Sequence, residues 1–358
     1  MNDLAFNGVQ RVQIKVHHGT PITDADLRGI VFDHAPLPAA VFHKVDLAGA
    51  RFAGADLREA VFDDCTLAGA VFSGASMRGA VINNCRAPDS FWEQAQLAST
   101  RFVGTSLQGA HFAAADLHLA AFVKCRLDGA DASGALLDRC TFSEVAAPKA
   151  KFERIAMHQV SFIQCMLDNA SITESTFELV VFHETPLRAR SFAGLQLKGC
   201  QFMGCDLSAA DFSDARMPQC NFKGATLDGA RFVKAAAANA LFPEASGQAC
   251  DFAHADLRQA IFNGAQWRRC RFDHASLHQA FFTAATLSSC SLRGADLTYA
   301  DFAHAIIEQS DFEGSTLFRT NFHKARETGA QSGDRSAALG TQADLARGED
   351  WRPGSQPA

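Results

Sequence analysis

From Ile22 to Phe322 large apolar residues recur at every fifth position, without one insertion or deletion. These centres carry numbers ending in 2 or 7. Of the 30 centres from 32 to 322 that end in 2, 25 are Phe, the exceptions being Ile82, Trp92, Ala132, Ile172 and Leu292. Of the 30 from 27 to 317 that end in 7, 20 are Leu. Two residues before each centre the chain is mostly Ala, Cys, Ser or Thr. A period of five matches neither the 3.6 of an amphipathic helix nor the 2 of a half-buried strand, so it reads as a repeat. The large centre fills an interior. The small residue packs beside it where a bulky side chain would not fit, and the remaining positions face outward.

Five units show the pattern in full: Ala25-Asp26-Leu27, Ala55-Asp56-Leu57, Ala115-Asp116-Leu117, Ala255-Asp256-Leu257 and Ala295-Asp296-Leu297. This resembles the pentapeptide-repeat family, whose motif is a small residue, Asp or Asn, Leu or Phe, then two variable residues. The resemblance covers about five-sixths of the chain. It implies an all-β fold, a right-handed quadrilateral parallel β-helix with one pentapeptide per side and 20 residues per coil. On that basis residues 22–324 form about fifteen coils with no inserted loop, stacked at the strand spacing of about 4.8 Å. Phe then faces Phe across the axis, and Leu faces Leu.

Composition changes this picture little. The 30 Phe against one Tyr and three Trp follow from the repeat itself. A net charge of −6 argues against a phosphate-coating nucleic-acid binder, and it is mild for an acidic duplex mimic. No window holds about 18 uninterrupted apolar residues, so no transmembrane helix is expected. Residues 1–16 lack an apolar run and a cleavage site of the secretory type.

All eleven Cys occupy the small inward position, several in vertical register, such as Cys65 with Cys85 and Cys250 with Cys270 and Cys290. A thiol ladder there is either a metal or redox site or a set of small hydrophobes replacing Ala, and position favours the second reading. Unpaired buried thiols also point to a reducing, cytoplasmic compartment. His254 and His274 lie one coil apart, but the pattern fixes no third ligand, so neither a metal nor a cofactor is expected. Residues 145–195 are irregular: Val145, Ile155, Val160, Val180, Arg190 and Leu195 take the small position. An Arg cannot sit unpaired on a packed axis, which predicts a widening or outward turn near 185–195. Ala87, Ala132, Ala147, Ala237 and Gly247 underfill their centres and are expected to weaken the core.

No nucleophile–base pair, phosphate loop, CxxC pair or HExxH is visible, and the recurring Asp residues read as turn ligands, so the chain is not expected to be an enzyme. One outward side is apolar. It carries Val41, Val61, Val81, Val103, Val123, Ile163, Val181, Met203, Leu241, Ile261 and Phe281. The opposite side alternates Arg51, Asp131, Lys151, Asp211, Arg231, Asp251, Arg271 and Asp311. An apolar stripe of this kind marks a contact surface for a protein partner or a second copy. At the ends, Val12, Ile14 and Val16 alternate with polar residues, so residues 8–17 are expected to form a strand within an N-terminal cap spanning 1–21. Residues 325–358 are polar and expected to be largely disordered, with a short helix over 337–346 as the one ordered element.

These features favour a protein-binding scaffold or adaptor. Long rods that this chain resembles occur beside effector-loading components of type VI secretion, which supplies one bacterial context and a partner class. The alternative is a DNA-mimicking, gyrase-protecting protein, the family's best-known activity. Such proteins present acidic surface, dimerise through an apolar C-terminal helix and often carry inserted loops. This sequence departs on each point.

Overall fold

A computed structural model describes residues 8–331 and 333–351. It is a right-handed, four-sided parallel β-solenoid of about 15 turns, in two compact units, Met1–Pro186 and Leu187–Ala358. In the first unit, three-residue strands at Val41–His43, Val61–Asp63, Val81–Asn83, Arg101–Val103 and Ala121–Val123 stack as one parallel sheet. Each residue pairs with the one 20 positions on, as Phe42 does with Phe62. Single bridges such as Asp26 with Asp46, Val31 with Arg51 and Pro36 with Asp56 repeat that offset on the other three sides. The second unit has the same ladder, its longest run being Ser246–Gln248, Gln266–Arg268, Thr286–Ser288, Ile306–Glu308 and Arg326–Thr328.

Five residues complete a side because each corner is a tight turn. The N–H of Ala35 donates to the Phe32 carbonyl at 2.9 Å, and the residue between, His34, has φ of 57°. A turn with positive φ at its third residue favours Gly or Asn. That is why so many numbers ending in 4 or 9 are Gly, among them Gly54 and Gly104.

The Phe centres form two columns in each unit, broken at Ile82, Ala132, Ile172 and Leu292 and bridged by Trp92 at one level. Phe52 stacks on Phe72 with ring centroids 5.0 Å apart, and Phe102 on Phe122 at 4.7 Å. Across the axis the rings meet edge to face, as Phe102 and Phe112 do at 5.9 Å. Both geometries suit the aromatic quadrupole. One-coil spacing therefore selects Phe, whose rings stack at the same distance as the strands.

The small inward residues also carry hydrogen bonds. Thr100 Oγ1 donates to the Met77 carbonyl at 2.8 Å, and Ser175 Oγ donates to the Phe152 carbonyl at the same distance. Cys140 and Cys220 do the same to Leu117 and Leu197, both at 2.7 Å. Cys thus shares with Ser and Thr a donor role toward the coil beneath. All eleven thiols are free and buried, and burial pushes Cys125 and Cys165 up to about 11 and Cys140 up to about 12.

Two of the underfilled centres behave oppositely. At Ala132 a cavity of about 10 Å³ remains, lined by Phe112, Phe122, Phe142 and Phe152 among others. At Gly247 the space is occupied by the Trp267 ring from the next coil, and a Cβ there would meet Cys250 Sγ and lie 2.9 Å from Trp267 Cζ3. The expected weakening therefore does not apply at Gly247. Ala132→Leu, filling the first gap, is expected to raise unfolding stability by about 1 kcal/mol, read as an increased urea midpoint at unchanged slope.

Of the irregular inward residues, Val145, Ile155, Val160 and Val180 remain buried. Arg190 and Leu195 stand half-buried in the second unit while keeping the ladder, their carbonyls accepting the N–H of Asp211 and Arg216 at 2.9 Å, so the expected widening or outward turn is not seen at these two backbone positions.

Both ends depart from the sequence expectation. Residues 8–17 form a helix, α1 (Gly8–His17), and not a strand. Their inward-leaning residues are Val9, Val12, Gln13 and Val16, a helical spacing that the Val12/Ile14/Val16 alternation concealed. Gly19, at φ of 63°, closes the helix by donating to the Val16 carbonyl, and Thr20 N–H reaches Lys15. The described part of the C-terminal segment is ordered. Gln331 and Leu339 donate to the carbonyls of Ser310 and Thr320, extending the last coil. The Arg335 guanidinium lies 4.2 Å from the Phe322 ring centroid and pairs with Glu327 at 2.7 Å. A second helix, α2 (Ala343–Asp350), follows, displaced toward the C-terminus from the expected 337–346. Edge carbonyls and the end of the aromatic column, the Phe322 ring beneath Arg335, hold this segment, so it needs few apolar residues of its own. The remainder of the 325–358 expectation, residue 332 and residues 352–358, lies outside the described residues.

Candidate outward binding face

The sheet of three-residue strands presents two outward columns, one before each centre and one after. In the first unit the column before the centre reads Val41, Val61, Val81, Arg101, Ala121, Thr141, Ser161 and Val181. The column after it reads His43, Asp63, Asn83, Val103, Val123, Ser143, Ile163 and His183. The apolar rungs therefore change column: Val41, Val61 and Val81 stand in the first, Val103, Val123 and Ile163 in the second. Val41, Val61, Val81, Val103, Val123, Ile163 and Val181 are each half-buried, showing their branched methyl groups to solvent.

Beside the first three valines runs a polar ladder. His43 Nδ1 lies 2.8 Å from Asp63 Oδ2, and Asn83 Nδ2 donates to Asp63 Oδ1 at 2.6 Å. The Asn83 amide, followed by the His43 ring, holds the Asp63 carboxyl below the usual carboxylate range. Valines and ladder together line a shallow trough of about 420 Å³ that begins at Pro21 and Thr23.

In the second unit Leu241, Ile261 and Phe281 occupy consecutive rungs of one column. Phe281 is 42% exposed, and Met203 stands half-buried in the neighbouring column. Polar rungs frame this patch. Asn221 Nδ2 donates to Gln201 Oε1 at 3.0 Å on one side, and Asn321 Nδ2 to Asp301 Oδ1 at 2.8 Å on the other.

The charged side differs in that its charges pair with one another. Arg51 reaches Asp33 at 2.8 Å, Lys151 reaches Asp131 at 3.2 Å, and Arg293 reaches Asp311 at 2.7 Å. Exposed pairs of this kind contribute little to stability, roughly 0–1 kcal/mol each. They do leave the side self-neutralised. The Asp residues before the centres are engaged as well: Asp131 and Asp211 accept the N–H of Ser133 and Ser213, two residues on. Their role is to close the turn.

His254 and His274 stack with ring centroids 5.2 Å apart. The group with three ligand-type atoms close together, among the described residues, lies elsewhere: His304, His323 and Glu349. His323 Nδ1 accepts the Gln342 N–H at 3.1 Å. The proton of the neutral ring therefore sits on Nε2 and points at Glu349 Oε2, 3.2 Å away. A ring in this tautomer has no free lone pair for an ion, so the trio is a hydrogen-bonded clasp. Nothing in the repeat signals it, because it forms only when α2 folds back onto the last coil.

No helix among the described residues is long and apolar enough to cross a membrane. The family model described as "Pentapeptide repeats (8 copies)" matches overlapping segments from 22 to 129 and from 250 to 326, more than half of the chain. A second, "Pentapeptide repeat region", matches residues 195–266. No curated protein matches the chain. Among solved structures it is similar to full-length QnrB1, a plasmid-mediated fluoroquinolone resistance protein, at 15% identity and a TM-score of 0.38 over 55% of this chain and 93% of that one. It is also similar to HetL of the cyanobacterium Nostoc sp. strain PCC 7120, a protein involved in heterocyst differentiation regulation. The identity there is 22%, with a TM-score of 0.20 over 79% of this chain and 86% of that one. The five-residue register, the 20-residue strand offset and the family matches agree, and the chain belongs to the pentapeptide-repeat family.

Proposed function

We propose that this chain is a non-enzymatic scaffold or adaptor that binds a protein partner through the apolar outward face of its β-helix. The observation that carries this reading is the contrast between faces. In each unit one side presents apolar side chains beside hydrogen-bonded polar rungs, Val61 and Val81 in the first and Leu241, Ile261 and Phe281 in the second. The other neutralises its own charges between coils. An apolar patch with a polar rim is the usual form of a contact surface. Chemistry has little to work with: the repeat carboxylates are held by turn N–H groups, and the thiols are buried donors to the coil beneath. Those reduced thiols suit a reducing compartment such as the cytoplasm. An effector-loading component of a secretion machine is the partner class we favour, and a second copy of the chain is the other candidate for this face.

The test is parallel purification of tagged wild-type chain, a Val61→Lys/Val81→Lys variant and an Ile261→Lys/Phe281→Lys variant. Each substitution is at a half-exposed or exposed position and is expected to cost less than about 1 kcal/mol in stability. A partner retained by wild type and lost from either variant, in moderate salt, supports the reading. Equal recovery from all three proteins defeats it. Salt-sensitive recovery of gyrase subunits, unaffected by the lysines, would favour the DNA-mimic alternative instead.

A further inference from the structure

On the last coil of the second unit the apolar face is already occupied. His323 stands in the outward column after the centre, where Val103 and Val123 stand in the first unit, yet it is only 1% exposed. What covers it is α2. This helix buries none of its own residues and has no side-chain cap at Gln342. Its hold on the coil is polar. Glu349 receives His323 Nε2 at 3.2 Å, lies 3.5 Å from His304 Nε2 and 3.1 Å from Lys324 Nζ. Asp350 meets the same ammonium group at 2.7 Å, and Lys324 also donates to the Ala346 carbonyl at 3.3 Å.

The two sides of this contact are unequal. An eight-residue helix in water is well below the length that sustains itself, so α2 is ordered by the contact and is lost with it. The receiving groups belong to the solenoid. His323 N–H is fixed by Asn321 Oδ1 at 3.0 Å, and Asn321 is tied in turn to Asp301 on the coil beneath. That rung, Asp301, bridges Phe281, so the cradle is continuous with the apolar patch.

We propose that His304, His323 and Lys324 form a carboxylate-binding cradle at the end of the binding face. Glu349 and Asp350 fill it in cis, and an acidic segment of a partner protein enters it by displacing α2. This rests on the reading of the face as the binding side and adds the chemistry of the partner: adjacent carboxylates at the end of a short helix or extended segment. Lys324, with its two acidic contacts, pulls the Glu349 carboxyl down to about 2, so the occupant stays ionised throughout the ordinary pH range.

The experiment uses the full chain carrying Glu349→Gln and Asp350→Asn, which empties the cradle while leaving its three receiving groups in place. The probe is a labelled, amidated peptide with the sequence of residues 342–351. The variant is expected to bind it about tenfold more tightly than wild type, whose cradle is closed most of the time. Affinity should fall as salt is raised, and the same peptide carrying Glu349→Gln and Asp350→Asn, with Asp344 kept, should bind at least about tenfold more weakly. Adding Lys324→Ala to the variant should abolish the gain. Equal affinity of the acidic and neutral peptides, or of variant and wild type for the acidic one, overturns the proposal. Peptide binding that survives while Ile261→Lys/Phe281→Lys leaves partner capture intact would remove the face reading and keep the cradle. The reverse pattern would remove the cradle alone.

Discussion

Trp267→Ala is expected to cost about 3–5 kcal/mol of unfolding stability, the largest single effect in this chain. Trp267 is 1% exposed and meets the rings of Phe242, Phe252, Phe262 and Phe272 edge to face, at centroid separations of 5.4 to 6.2 Å. Its ring fills the axis at two levels, its own and that of Gly247. An Ala there leaves a void spanning both, and neighbouring coils cannot close it, because the strand ladder fixes their spacing. Trp267→Phe should cost far less. It keeps an aromatic ring in the cluster, and it removes an indole N–H that is buried without a hydrogen-bond partner. Urea unfolding followed by far-ultraviolet circular dichroism would measure both. A loss below about 1 kcal/mol for the Ala variant would mean that the two-level filling is not what holds this part of the core.

The second large effect has a sign opposite to the one a repeat consensus suggests. Gly247→Leu restores the residue commonest at centres ending in 7, and it is expected to destabilise by about 3 kcal/mol or more. The new side chain would be built into space held by the Trp267 ring and Cys250 Sγ. Combining it with Trp267→Leu makes the column from Leu227 to Leu287 leucine at every level, and that double variant should lie within about 1 kcal/mol of wild type. Two costly single changes that nearly cancel in combination would establish that Gly247 and Trp267 act as one unit. Additive losses would refute it.

This pair also shows where sequence reasoning ran out. Gly247 lies 20 residues from Trp267, and each looks like a misfit in its own pentapeptide. They become complementary only once the 20-residue offset stacks one on the other. Ala132 looks like the same kind of misfit, yet no neighbouring side chain reaches its gap. A periodic sequence announces which positions face inward, while the volume available at each depends on what the coils above and below contribute.

The outward face was readable to a similar degree. Alternation about each centre assigns Val41, Val61 and Val81 to one side, and strand register then shows that the apolar rungs move to the other column by Val103. The ends were least readable. At α1, residues spaced for a helix also alternate in the manner of a strand, and burial against the first coil with closure by Gly19 decides between them. At the C-terminus low apolar content implied disorder, because the criterion counts what a segment brings and not what awaits it. The last coil offers unpaired carbonyls, the Phe322 ring and the His304/His323/Lys324 cradle.

The sequence by itself determined the period and the inward residues, since both follow from a five-residue rule acting on adjacent positions, and the four-sided coil came with the family resemblance that this rule carries. Only the tertiary structure decided which gaps are filled, how the two ends close and where Glu349 comes to rest. Those outcomes depend on groups 20 or more residues apart, and their energies come from contacts between coils that no single repeat contains.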